Sequence, residues 1–427
     1  MTALCIPLLA AALSLPAPGA SAKILILTGA RVLDPGGERW LEGRVVVVRD
    51  GRIERIATAG QVKEPEGARR LDLAGLHLLP GLIDLHTHLL LHPYDEANWD
   101  DQVLRESLEL RTIRATTAAS ATLRAGFTTI RDLGTEGAGF ADVALREAIA
   151  GGMIPGPRLL ASTRAIVATG CYGPSGFDPR WDVPKGAQEA SGPDEVRTAV
   201  RQQIAAGADW VKVYADYRRV EGQPATPTFS QEEMNALADE AKSAGRPVVA
   251  HAVTSEGISR AVLAGAATIE HGSQASDDIL ALMRERGVAL CPTLAAAEAV
   301  ARQAGWKDGE PEPQALRESR EMFARALRSG VTIACGSDAG VFRHGDNARE
   351  IELMVVYGMP PADALRAATT TAARVIGREK DLGRVAEGYL ADLIAVREDP
   401  LKSPTALRNP AVVLKDGVLV ADHRHSP

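Results

Sequence analysis

Little in this 427-residue chain points to a charged polymer as its partner. Acidic residues outnumber basic ones, 55 to 48, and no run of lysine or arginine stands out. A formal charge of −7 gives no electrostatic footprint for nucleic acid. Past the N-terminus no apolar stretch approaches the roughly 20 residues of a membrane helix. Cysteine is scarce, four in all, and Cys5 falls in the N-terminal apolar run. The remaining Cys171, Cys291 and Cys335 are too few, and odd in number, to describe a disulfide framework. Cys291 and Cys335 sit in apolar strand-like runs and read as buried free thiols. What remains is ordinary: 45% hydrophobic and 24% charged residues, which excludes disorder, collagen and coiled coil.

The first 22 residues differ from the rest. Leu4 to Leu15 is apolar apart from Ser14, Pro16 and Pro18 follow, and Ala20-Ser21-Ala22 offers small residues before Lys23. The run is too short to span a bilayer and fits a secretory signal peptide over 1–22. The expectation is export to a periplasmic or secreted location, with no membrane attachment after cleavage.

A helix stop followed by a short apolar strand then recurs along the chain. Gly126 precedes FTTIRDLG, Gly152 MIPGPRLLAS, Gly207 ADWVKVYAD, Gly245 RPVVAHAV, Gly265 AATIEHG, Gly287 VALCPTL and Gly330 VTIACGSD. Glycine past a helix end relieves the left-handed cap, and continuous apolar strands between helices indicate a parallel sheet covered on both faces. With LLPGLIDLHTH in front there are eight such strands, which predicts an α/β fold, a (β/α)8 TIM barrel over 80–375. A doubly wound sheet is the alternative, but no glycine-rich nucleotide fingerprint follows the first strand. Outside that block the ends resemble each other. VVVVRDGRIERI and VVLKDGVLVA each place Asp-Gly between alternating runs, the signature of a tight β-hairpin. Segments 23–79 and 376–427 are therefore expected to make one small β-sandwich from both termini. Gly170 to Pro193, rich in glycine and proline, reads as a long loop over the barrel mouth.

The chemistry-bearing residues fall at strand ends. His86 and His88 are two apart on the first strand and so share a side of it. Lys212 lies on the fourth strand, His251 on the fifth, His271 on the sixth and Asp338 on the eighth. One barrel mouth can gather all six. Four neutral imidazoles and a carboxylate suit zinc or a similar divalent ion. Lys212, between Trp210, Val211, Val213 and Tyr214, is costly to bury unpaired. A lysine paired to a carboxylate is one reading of it and a metal ligand is the other.

PGLIDLHTH, the strand-four lysine, the two later histidines and GSDAG together resemble the amidohydrolase superfamily. IPGPRLLAS, VKVYAD, SEGISRAVLAGAATIEHGS and GVFRHGDNARE resemble more narrowly the branch of bacterial prolidases and carboxypeptidases. That branch also holds ochratoxin-degrading and imidazolonepropionase-like amidohydrolases. The chain departs from its peptidases after the third strand, where Thr169-Gly170-Cys171-Tyr172-Gly173 replaces a Thr-Gly-Gly-His-like stretch. The resemblance implies two divalent ions, expected to be zinc. His86, His88 and Asp338 would hold the first and His251 and His271 the second, with an N-carboxylated Lys212 bridging. It further implies a metal-bridging hydroxide that attacks an amide carbonyl, with Asp338 moving the proton.

Tyr214, two residues after Lys212, and His344, after the last strand, are the further candidates for contact with substrate. His77, His92, His423 and His425 read as structural or surface residues. The expected substrate is a small N-acyl amino acid or dipeptide, its free carboxylate met by Arg343 or Tyr214. A cyclic amidase or lactonase is the alternative, and a homo-oligomer is expected by analogy.

Overall fold

The computed structural model describes residues 23–178, 180–220 and 222–424. The expected signal peptide and His425 lie outside the described residues.

Strand periodicity builds a module from both ends of the chain. Arg44–Arg49 and Arg52–Thr58 form a hairpin with Ile24–Thr28 and Arg69–Asp72 beside it, in a four-stranded sheet. Along Arg44–Arg49 the side chains alternate: Val46 and Val48 join one buried cluster, Val45 and Val47 another on the opposite face. A six-stranded sheet interleaves the termini. It runs Val418–Asp422, Val412–Lys415, Leu393–Val396, His77–Pro80, Arg31–Leu33, Trp40–Leu41. Val32, Leu78, Leu393, Ala395, Val412 and Leu414 of this sheet share a core with Leu27, Val46, Val48 and Leu71 of the other. Both Asp-Gly turns are present, with positive φ at Asp50 (47°), Gly51 (82°), Asp416 (48°) and Gly417 (70°). That is the requirement of a two-residue hairpin matched to strand twist. The two turns also touch. A Cβ on Gly417 would come 2.8 Å from Val48, and one on Gly51 3.0 Å from the Asp416 carbonyl.

The central block alternates strands with helices as expected. Leu82–Thr87, Phe127–Asp132 and Arg158–Ala161 pair in parallel. Val211–Tyr214, Val248–Ala252, Thr268–His271 and Ala289–Cys291 do the same in a second sheet. All seven helix-stop glycines have positive φ; Gly265 (98°) and Gly287 (69°) are left-handed caps. Two expectations need correction. The segment expected as the eighth strand is not a regular strand, and pairs only through isolated bridges at Ile333 and Ala339. It still lies between the seventh strand and the first. Ala334 donates to Leu290 (2.9 Å), Leu85 to Cys335 (2.9 Å) and His88 to Ala339 (2.8 Å). Regularity is lost because Ser337 turns its N–H to the Asp84 carboxylate and Asp338 adopts φ 63°. Gly336 also packs so closely that a Cβ would meet Cys291 at 2.9 Å. The expected long loop, in turn, ends in a strand, Gln188–Ala190, parallel to Ile166–Ala168. Three residues each are too few for a pattern to betray them.

Module and central block are tied together at the starts of the first and third strands. Arg158 bonds Asp416 (2.7 Å), Lys415 bonds the Gly156 carbonyl (2.8 Å), and Gly81 donates to the Asp392 carbonyl (2.7 Å). No helix among the described residues is long and apolar enough to cross a membrane. Cys171, Cys291 and Cys335 are buried and free.

Candidate metal centre

The period of two along the first strand aims Asp84, His86 and His88 to one side. His86 and His88 bring their Nε2 atoms to 3.3 Å of each other. Asp338 Oδ1 stands 3.5 Å from the first and 3.3 Å from the second. All three residues are buried. The protons of these imidazoles lie on the far side. His86 Nδ1 donates to Glu270 (2.8 Å), and His88 Nδ1 donates to the Gly134 carbonyl (2.9 Å), a group that only accepts. Burial, reinforced by the Lys212 charge, holds His86 well below the usual histidine range, so it is neutral. Its tautomer therefore leaves a lone pair on Nε2, and that of His88 does the same. Two imidazole lone pairs and a carboxylate oxygen converge with no proton to share, and such a donor set calls for a cation.

The other expected residues stand around this group. His271 has its ring centroid 5.2 Å from that of His86 and 4.5 Å from that of His251. Its Nδ1 meets Thr293 Oγ1 at 2.7 Å, while that hydroxyl's proton goes to the Pro292 carbonyl. His271 thus donates from Nδ1, and its Nε2 is also a free acceptor. Burial pushes its pKa down to about 3 and holds His251 well below the usual range. Lys212 is wholly buried, and its Nζ has no hydrogen-bond partner. Burial lowers its pKa, against the pull of Glu270 and Asp338. An orphaned buried amine beside three free acceptor nitrogens fits a ligand-bearing lysine better than an ion-paired one.

Tyr214 stacks on His251 at 4.4 Å and packs against Tyr172 at 4.3 Å. Burial first, then the Glu136 charge, keep its phenol well above the usual range and protonated. His344 is bonded to backbone. It is buried, and its Nε2 meets the carbonyls of His88 (3.2 Å) and Leu91 (3.1 Å). That placement ties His344 to the loop that follows His88, with its Nδ1 buried and unpartnered. Arg343, Phe177 and Trp181 are exposed. His77 packs edge-on against Trp40, and His92 pairs with Glu106.

Several residues that position the group went unread in the sequence. Glu270 orients His86 and is itself held by Arg131 (3.0 Å) and Thr268 (2.6 Å), with the Arg131 guanidinium over Trp210. Asp84 accepts from Ser337 N (2.9 Å) and Asn347 (2.8 Å), tying the first strand to the segment that bears Asp338. Such carboxylate–histidine partners are the usual outer support of a metal site. A signal was there: Asp84 precedes His86 by two, and Glu270 is a carboxylate inside the apolar run before His271.

Comparison with known proteins agrees with this geometry. Residues 77–420 match the model of the amidohydrolase family. Ochratoxinase of Aspergillus niger is 30% identical over 426 residues, 92% of this chain and 85% of that one. A Xaa-Pro dipeptidase crystallised with methionine in its active site is 32% identical, with a TM-score of 0.83, 93% of this chain and 99% of that one being covered. A prolidase complexed with N-methylphosphonate-L-proline is 32% identical, with a TM-score of 0.81, covering 94% of this chain and 100% of that one. The chain belongs to the amidohydrolase family and is a hydrolase acting on carbon–nitrogen bonds.

Proposed function

We propose that this enzyme hydrolyses the amide bond of a small N-acyl amino acid or dipeptide at a binuclear metal site. The observation that carries the reading is the convergence of the His86 and His88 Nε2 lone pairs on Asp338 Oδ1. His86, His88 and Asp338 would hold one ion and His251 and His271 a second, zinc being the ion such imidazole-rich sets favour. Lys212 reacts through its neutral amine with carbon dioxide, giving an N-carboxylate and a released proton, and so gains the charge needed to bridge. Divalent ions in this place supply Lewis acidity and lower the pKa of water towards neutrality. Asp338 takes a proton from the attacking water and delivers it to the leaving nitrogen, work that needs a carboxylate within hydrogen-bond reach. Burial raises the Asp338 pKa, which suits a group that must accept and then return a proton. Tyr214, held protonated, offers its O–H to a carbonyl or carboxylate oxygen of the substrate. His344 serves by holding the His88 loop.

The relatives' names support an amide substrate with an amino-acid part: a Xaa-Pro dipeptidase, a prolidase and an ochratoxinase. Matched dipeptides and N-acyl amino acids with free or amidated carboxylates, run beside a few lactones, test it. Amidation should lower kcat/KM by more than about tenfold, roughly 1.4 kcal/mol of transition-state binding. Equal rates on both forms, or turnover confined to lactones, would sink the reading. The architecture proposed with it is a closed (β/α)8 barrel carrying a β-sandwich made by both termini. The bonds of Ala334 to Leu290 and of Leu85 to Cys335 support that closure. Export is proposed on the apolar run Leu4–Leu15 and the small residues before Lys23; the N-terminal sequence of the mature protein checks it.

A further inference from the structure

The strand Phe127–Asp132 ends on a carboxylate that the metal group does not itself use. Asp132 is wholly buried, and its Oδ2 accepts from Leu89 N at 2.6 Å, the amide that directly follows His88. The N–H of Gly134 is turned to the same carboxylate. Gly134 is also the residue whose carbonyl accepts from His88 Nδ1 at 2.9 Å, with Glu136 Oε1 farther off at 3.6 Å. A Cβ on Gly134 would come 3.7 Å from His88 Cε1 and 3.0 Å from Glu136 Oε1, so this stretch of chain lies against the ring it orients. Asp132 is itself held on two sides. Leu133 N donates to the Thr87 carbonyl (2.9 Å), and Ser162 Oγ donates to the Asp132 carbonyl (2.7 Å). His88 therefore has three tethers: its own amide to the Ala339 carbonyl (2.8 Å), the next amide to Asp132, and its ring to Gly134. The last two both run through Asp132. An amide left unpaired in so buried a place is costly, and the chain shifts to pair it elsewhere.

We propose that Asp132 is the positioning residue of His88: one carboxylate fixes both the backbone after that histidine and the peptide that orients its ring. It thereby sets how tightly the ion shared by His86, His88 and Asp338 is held. The inference rests on the metal-site reading above, but not on the substrate and not on the number of ions. Asp132 touches no reacting atom and acts only through His88. What it supplies is an acceptor oxygen of the right reach. Asparagine keeps that oxygen; leucine keeps the bulk and loses it.

The test partitions zinc at equilibrium between the zinc-loaded protein and the chromogenic chelator 4-(2-pyridylazo)resorcinol, and needs no substrate. His88→Ala identifies the release step that belongs to the His86, His88 and Asp338 ion, because that step should be missing from it. Asp132→Leu should weaken the same step by about 10–100-fold, the usual effect of removing an outer support, and leave any other step within about threefold. Asp132→Asn should restore the step to within about threefold of the parent. Arg158→Ala, which loosens the tie between module and central block, supplies the contrast: its melting temperature should fall while every step stays in place. Thermal melting establishes that each variant is folded, and Asp132→Ala carries the readout if the leucine variant is not. The proposal is overturned if the folded leucine or alanine variant keeps the His88 step, if it weakens all steps alike, or if asparagine fails to restore it. A parent that releases its zinc in one step loses the second ion of the proposed function and leaves this test standing, since His88→Ala still marks the step that is read.

Discussion

An ammonium in a protein interior costs several kcal/mol unless something compensates it. Lys212 has no hydrogen-bonding partner for its Nζ, so the side chain is a liability in the metal-free protein. Two consequences follow from that one atom. Lys212→Met, which keeps the methylene bulk, should melt higher than the parent when both are stripped of metal, and should bind markedly less metal when reloaded. Elemental analysis should find close to two divalent ions per parent chain; a variant that keeps both ions and full turnover would remove Lys212 from the site. Asp338 separates assembly from chemistry. Asp338→Asn keeps a side chain of the same shape, so the fold and much of the metal should survive. The loss in kcat should be about 10²–10⁴-fold, the usual worth of a general acid–base group. Near-normal turnover in that variant places the proton transfer on another residue.

At the scale of single elements, the site borrows groups from helices and the helices are repaired from elsewhere. Thr293 stands at the N-cap of Leu294–Gln303, yet its φ of 50° and its hydroxyl, committed to His271 and Pro292, leave it no capping bond. The free N–H of Ala295 is met instead by Glu350, from Ala348–Val356, at 2.7 Å. Burial raises the Glu350 pKa to about 8 from an ordinary 4.5. Its folded pKa is above its unfolded one, so the stability it contributes is full below about pH 4.5 and is lost as pH rises through 8. The melting temperature of the parent relative to Glu350→Gln should therefore fall between those two pH values. A difference that is flat across that window means Glu350 is charged throughout. Glu350→Ala should cost about 1–2 kcal/mol below pH 4.5, the value of a lost helix cap, and less as the pH rises from there. Of these devices the sequence displayed little. Histidines at strand ends and glycines after helices are local patterns with a fixed period, and they were legible. A carboxylate that caps a helix some fifty residues away has no local period at all.

Across the whole molecule, the termini complete each other. Leu393–Val396 lies between His77–Pro80 and Val412–Lys415 in one sheet, with Leu393 opposite Pro80 and Ile394 opposite Leu79. A chain ending at residue 375 would leave His77–Pro80 with an open edge and the core around Leu78 uncovered. It should be recovered insoluble, and co-expression of 376–427 should restore soluble protein; a soluble, cooperatively melting 1–375 product would refute that dependence. Arg158 joins the two parts through Asp416 and the buried Asp392 (3.6 Å). Arg158→Ala should lower stability by about 1–3 kcal/mol, the cost of leaving a buried acceptor unpaired. Turnover per folded molecule should not change.

The sequence by itself determined the alternation of helix and strand, the two Asp-Gly hairpins and the strand-end residues from which the metal group is built. Each of these rests on interactions within a few residues of chain: a left-handed cap, a turn with two positive φ angles, a side-chain period of two. Only the tertiary structure decided which nitrogen of His86 and His88 carries the proton, since Glu270 and Gly134 reach those rings from other parts of the chain. It alone turned His344 to the backbone of the His88 loop and laid the Tyr172 ring against Tyr214. Those outcomes depend on which distant groups share a buried space, where an unpaired proton or lone pair costs too much to leave, and no local pattern encodes that sharing.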